Sequence, residues 1–161
     1  MQLEEINTEL FADYFQFYLQ DESVSGDLSD AWTDEAVERL LAVTNGTIGV
    51  GTVRNMDVVT TLKVYDSEPE LINNPQSIYQ INECDLVMVS ENLVIAGCTD
   101  YFPDAMRIKI GKGVFRARIY YRNLDSLSED GLEGDDSYEI HLWPSDEKSG
   151  IQILKNRNKN A

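Results

Sequence analysis

The stretch Met106-Arg-Ile-Lys-Ile-Gly-Lys-Gly-Val-Phe-Arg-Ala-Arg-Ile-Tyr-Tyr-Arg122 decides the fold class. Met106, Ile108 and Ile110 alternate with Arg107 and Lys109; beyond Gly111-Lys-Gly113, Phe115, Ala117, Ile119 and Tyr121 alternate with Arg116, Arg118 and Arg122. Successive side chains on a strand point to opposite faces, so a period of two predicts two strands, each with one apolar face turned to a core. The glycine pair between them predicts the turn of a hairpin whose basic face meets solvent.

Outward from this stretch the same alternation recurs. Phe15, Phe17 and Leu19 predict a first strand, Ile48, Val50 and Thr52 another, and residues 58–65 a third; Tyr138, Ile140 and Leu142 form one more, closed by Pro144. Residues 84–89 and 93–98 flank Ser90-Glu-Asn92, a connection suited to a hairpin. With Glu91 at its centre, Cys84 faces Cys98 across the strands, as two buried thiols or, geometrically conceivable, a disulfide. One helix is predicted over 34–43. Thr33 supplies an N-cap oxygen, Asp34 and Glu35 complement the positive helix end, Ala36, Val37, Leu40 and Leu41 give an apolar face, and Asn45-Gly46 stops it. Residues 66–76, with Pro69, Pro75 and paired asparagines, read as loop. The expected architecture is mainly β: a two-layer antiparallel β-sandwich, or a half-open barrel, of about eight strands with that short helix. A single domain spans 1–154, and 155–161, with Lys155, Arg157 and Lys159, form a polar basic tail that frays.

Charge narrows the function classes. The 161 residues carry 13 basic and 29 acidic side chains, a formal net charge of −16. Residues 1–38 hold eleven carboxylates and 123–147 hold nine, with no Lys or Arg in either stretch. Such a field disperses the molecule in water, repels nucleic acid and attracts a basic protein. The part of the second stretch up to Asp136 is also long enough to fold back over the basic face of the hairpin and neutralise it. No apolar run approaches the ~18 residues that span a bilayer, and the first residues carry no basic or apolar signal segment, so the expected place is the cytoplasm.

Catalytic chemistry finds little purchase. His141 is the only histidine, so any His-based metal site or relay must pass through it; it reads as a plain strand residue. Gly49-Val-Gly51 and Gly111-Lys-Gly113 open no helix after a strand and read as bulge and turn glycines. The loop 125–136 is rich in oxygen ligands, yet against a calcium loop Leu127 stands where an oxygen is required and Asp130 where a glycine is. No cofactor and no metal are expected, and the chain does not read as an enzyme; a hydrolase working through carboxylates alone has no residue pair that stands out.

Trp32-Thr-Asp-Glu-Ala-Val-Glu-Arg-Leu40, followed by Asn45-Gly-Thr-Ile-Gly-Val-Gly-Thr-Val-Arg-Asn55, resembles the competence protein J family of bacterial nuclease inhibitors. That resemblance implies a small acidic immunity or inhibitor protein that binds a basic toxin, a nuclease foremost, and protects the cell making it. The expected contact set is Asp125, Glu129, Asp130, Glu133, Asp135 and Asp136, with Asp34, Glu35 and Trp32 at the helix start. Trp32 and Trp143 read either as core or as anchors. The alternative is a β-sandwich module binding a carbohydrate or other small ligand on Tyr65, Tyr79, Tyr101 and Phe102.

Overall fold

The computed structural model describes residues 1–72 and 76–158. Its strands are β1 (Gln2–Phe11), β2 (Gln16–Asp21), β3 (Leu41–Thr44), β4 (Thr47–Gly51), β5 (Asp57–Tyr65), β6 (Ile78–Met88), β7 (Asn92–Gly97), β8 (Met106–Lys109), β9 (Gly113–Arg122), β10 (Ser137–Pro144) and β11 (Gln152–Lys155), with one helix, α1 (Asp34–Arg39). They form two layers. One sheet runs β1-β5-β10-β9-β6-β11 and the other β3-β4-β2-β7-β8. The expected sandwich with a short helix is what the chain builds, with one departure: β10 lies parallel to β5, so the larger sheet is mixed. No helix among the described residues is long and apolar enough to cross a membrane.

The core lies between the layers. Val58, Leu62, Ile119, Tyr121, Tyr138 and Ile140 of the larger sheet meet Phe17, Leu19, Ile48, Val50, Leu93 and Ile95 of the smaller one, all nearly or fully buried. Burying each such side chain contributes about 1.5–3 kcal/mol against leaving it in water, which is why the alternating positions settle on this face.

Neither predicted hairpin forms. β6 pairs antiparallel with β9, and β7 with β8, so both short connections step from one sheet to the other. The step after β6 is held by Asp21, whose buried carboxylate accepts hydrogen bonds from Val89 N (2.6 Å), Ser90 N (2.8 Å) and Ser90 Oγ (2.7 Å). The step after β8 turns on Gly111 and Gly113, at φ 95° and 123°, where a side chain would be strained. Cys84 therefore faces Ala117, not Cys98, and both thiols are free. Burial pushes the Cys84 thiol up to about 12, which makes it inert. Tyr18 Oη donates to Cys98 Sγ at 3.4 Å.

The arginines of β9 are not solvated either. Arg116 and Arg118 are 4% and 3% exposed. Arg118 meets Glu83 of β6 at 2.7 Å and Glu68 at 3.0 Å; Arg116 meets Glu83 at 3.3 Å and Asp85 at 2.9 Å. The neutralising carboxylates thus come from β6, from the loop after β5 and from β10, whose Glu139 lies 2.8 Å from Arg122; no acid of the stretch up to Asp136 pairs with these arginines among the described residues. Within the loop 66–76, residues 66–72 lie against this outer face, with Ile72 N donating to Tyr120 Oη; Asn73, Asn74 and Pro75 lie outside the described residues.

Two terminal segments also differ from expectation. β1 is an additional strand, 10 residues long, on the edge of the larger sheet. At the other end Lys155 belongs to β11, and Arg157 docks: its backbone N–H donates to Gln80 Oε1 at 2.8 Å and its guanidinium to the Glu38 carbonyl at 3.0 and 3.2 Å. The tail is therefore tied down through 158, and 159–161, with Lys159, lie outside the described residues.

Candidate protein-binding site

Five of the six loop carboxylates, Asp125, Glu129, Asp130, Glu133 and Asp135, are exposed on the segment that joins β9 to β10. Its shape is set by serines. Ser128 N donates to Glu133 O (2.8 Å) while Ser128 Oγ accepts from Glu133 N (3.0 Å) and donates to Asp130 Oδ1 (2.6 Å). Ser126 Oγ accepts from Asp135 N (2.7 Å) and donates to the Asn123 carbonyl (2.7 Å). Hydrogen bonds from Ser128 and Leu132 N hold the Asp130 carboxyl below its ordinary value. The loop interior is thus occupied by its own hydroxyls and amides. No group of three or more His, Cys, Asp or Glu placed to hold a metal ion occurs among the described residues.

Asp136, expected among the contact residues, stands apart from the other five: it is 1% exposed and cannot meet a partner. Its Oδ1 takes the Arg54 Nε at 2.5 Å and its Oδ2 accepts from Tyr138 Oη at 2.8 Å. Tyr138 Oη in turn accepts from Val53 N at 3.0 Å, and Arg54 Nη1 reaches the Leu132 carbonyl at 3.4 Å. Burial, then the Asp136 charge, pushes the Tyr138 hydroxyl well up, so it stays a donor. The residue pins the root of the acidic loop to the segment after β4.

That segment forms one wall of a cleft of about 530 Å³, lined among others by Tyr14, Phe15, Trp32, Val37, Leu40 and Val53. Phe15 was expected on the buried face of a strand. Instead β2 starts one residue later, Phe15 adopts φ 61° and is 53% exposed; neighbouring Tyr14 has φ 58° and is 69% exposed. The helix is also shorter than expected. It ends at Arg39, because Leu40 takes φ 63° as the left-handed cap and chain pairing resumes at Leu41, while Asn45-Gly46 make the β3–β4 turn.

Trp32 is half-buried against β4 and donates its indole N–H to Gln16 Oε1 at 2.9 Å. The glycines of β4 are spacers, not bulges. A Cβ on Gly49 would stand 2.9 Å from Trp32 Cζ2, and one on Gly51 2.9 Å from Leu40 Cα. Asp34 and Glu35 are exposed at the start of α1, where Thr33 Oγ1 accepts from Ala36 N at 3.2 Å. The structure thus brings Trp32 to the cleft and leaves Asp34 and Glu35 on the adjoining helix, with the acidic loop rooted next to its Val53 wall. Sequence reasoning named none of Tyr14, Phe15, Val37 and Val53 as site residues: it set Phe15 and Val37 on buried faces, and only the acidic context of residues 1–38 hinted at the first three.

The other candidates fall elsewhere. Trp143 is 5% exposed, with the Arg118 guanidinium 4.8 Å above its ring. Buried His141 lies between Tyr65 and Tyr120, ring centroids 5.2 and 5.0 Å away, with Nε2 2.5 Å from Glu139 Oε2. Tyr65 stands with His141 on the outer face of the larger sheet, Tyr79 packs against the inter-sheet core, and Tyr101 and Phe102 sit in the β7–β8 connection, so the four rings form no common platform.

No family model and no curated protein matches the chain. Among solved structures, ComJ from Bacillus subtilis, an inhibitor of the DNA degrading activity of NucA, superposes with a TM-score of 0.65 at 17% identity, covering 90% of this chain and 98% of that one. The product of crocagin biosynthetic gene J superposes with a TM-score of 0.52 at 19% identity, covering 88% and 96%. The likeness carried in the sequence by residues 32–40 and 45–55 holds as a shared fold over nearly the whole chain.

Proposed function

We propose, starting from the ComJ-type fold, that this chain is an immunity or inhibitor protein that binds a basic protein toxin, a nuclease, and acts by occlusion without bond-making of its own. The observation that carries the reading is the loop 125–135: five exposed carboxylates, no cation among them, on a frame fixed by serine hydrogen bonds and by the Arg54–Asp136 pin. A nuclease grips its substrate through cations arranged for phosphates. Carboxylates gathered on one loop compete for those cations, and because the loop is ordered beforehand little freedom is lost on binding. The partner is met in the cytoplasm of the producing cell, and the chain touches neither nucleic acid nor membrane.

The test is inhibition of plasmid degradation across a panel of basic nucleases, NucA among them, followed by stopped-flow association with any nuclease that is inhibited. The association rate is expected to fall steeply as salt rises from about 0.01 to about 0.15 M, over which the screening length drops from about 30 to about 8 Å. Inhibition at a salt-independent rate, or inhibition untouched by changing the five loop acids to amides, overturns the reading.

A further inference from the structure

We infer that the cleft between the 3-10 turn at residues 13–15 and α1 is a socket for one apolar side chain flanked by lysines or arginines on the partner protein. The inference rests on the proposed reading of the chain as a binder of basic proteins, and adds to it a second, apolar contact.

The geometry points there in three ways. The lining is apolar and open: Tyr14, Phe15 and Val37 are 69%, 53% and 56% exposed, around about 530 Å³, enough for a large side chain. Backbone strain gathers at the same place. Of the four residues other than glycine at positive φ among the described residues, Tyr14, Phe15 and Leu40 line this cleft. The fourth, Asn123, is of a residue type that tolerates the conformation. Held together by β2, β4 and the helix cap, such costly conformations collect where a ligand is clamped. In this chain they turn two aromatic rings outward that strand alternation would partly bury.

Charge decides the occupant. Asp13 adjoins Tyr14 in the chain, Glu38 adjoins Val37, and Asp34 and Glu35 open the same helix. The one cation of the lining, Arg157, spends its guanidinium on the Glu38 carbonyl. A second copy of this chain, with net charge −16, would set carboxylates against carboxylates; a cationic segment carrying a leucine, phenylalanine or similar residue meets both the walls and their surroundings. The arrangement is an apolar cleft set in a negative field: Glu35 and Glu38 line the neighbouring depression with Arg39 and Ile153, and the pinned acidic loop lies beyond Val53.

Two tryptophan-free lysine-rich octapeptides of equal charge test this, one with leucines at its centre and one with serines, read by Trp32 emission in a Trp143→Phe background. The leucine peptide is expected to bind about tenfold tighter, the gain from burying one such side chain. Phe15→Ala combined with Val37→Ser, both at exposed positions, is expected to erase the difference. Equal affinity of the two peptides, or a preference that survives the double variant, overturns the socket. The failures separate: equal affinities with salt-dependent nuclease inhibition intact sink the socket alone. A leucine preference in a chain whose nuclease binding ignores the five loop acids sinks the acidic-loop reading alone.

Discussion

The outer face of the larger sheet and the loop 125–135 are both dense in charge, yet they use it in opposite ways. On the sheet face every carboxylate named above has a cation: Glu83 is shared by Arg116 and Arg118, Asp85 by Arg116 and the backbone amides of Ser149 and Gly150, Glu139 by Lys63 and Arg122. On the loop, Asp130 meets the Ser128 hydroxyl and Leu132 N of its own segment and Asp125 meets the Tyr79 hydroxyl of β6; none of the five exposed acids makes an ion pair among the described residues. Charge that the fold has already paired is structural, and its removal is felt as instability. Charge left unpaired on a rigid frame costs the fold little to lose and is available to a partner.

The largest break in that contrast should come from Arg118. Replacing it by Met leaves the buried Glu83 short of a partner, and halving a buried pair destabilises by about 3–5 kcal/mol. The exposed end of the same network, Glu68 with its side chain 64% exposed, should cost no more than about 1 kcal/mol when changed to Gln. Urea unfolding of the two variants reads the difference directly. Equal, small losses would make the sheet face as dispensable as the loop.

Acid should attack the same face next. Burial works to raise the Glu139 carboxyl, but the His141 hydrogen bond and the charges of Arg122, His141 and Lys63 outweigh it and hold the group at about 2, against an ordinary 4.5. A carboxyl whose folded value is lowered contributes stability in full above its unfolded value and loses it as pH falls toward the folded one. Stability should therefore decline from about pH 4.5 toward pH 2 on this group's account, by about 1–2 kcal/mol once solvent screening is allowed for. Glu139→Gln should flatten that part of the curve, followed by tryptophan fluorescence.

The layers of this fold were legible in the sequence while its pairings were not, and the reason is physical. Alternation reports which face of a strand is buried: Phe115, Ala117 and Ile119 are in the core, as are Ile140 and Leu142. It carries no information about which strand lies alongside. Short connections at 89–91 and 110–112 invite hairpins, but Asp21 and the positive φ of Gly111 send them across to the other sheet. Local charge counting failed for a similar reason. Asp136 looks like its five neighbours in sequence and differs only through Arg54, 82 positions away, and Tyr138. Phe15 fits the strand pattern and leaves it because the chain turns at Tyr14.

A smaller effect sharpens the picture of the cleft. A Cβ on Gly51 would stand 2.9 Å from the Leu40 Cα and 3.2 Å from its carbonyl carbon, backbone that cannot swing aside as a side chain does. Gly51→Ala should push the end of α1 off β4 at a cost of about 1–3 kcal/mol. The apolar floor should open with it, so the preference for the leucine peptide should fall although no residue of the rim has changed. Thermal unfolding and the peptide titration measure the two consequences on one protein.

The smallest change in stability belongs to the loop itself, and there the prediction is of near silence. Converting Asp125, Glu129, Asp130, Glu133 and Asp135 to amides keeps an acceptor oxygen at Asp130 for Ser128 and Leu132, so the serine-built frame survives. Exposed substitutions of this kind change stability by about 0.5 kcal/mol or less each, and easing repulsion among like charges works in the stabilising direction. Urea midpoints should therefore stay close to the parent while association with a basic partner slows many-fold at low salt. A large loss of stability would mean that these carboxylates, like those of the sheet face, are already spent inside the fold, and the contrast between the two regions would vanish.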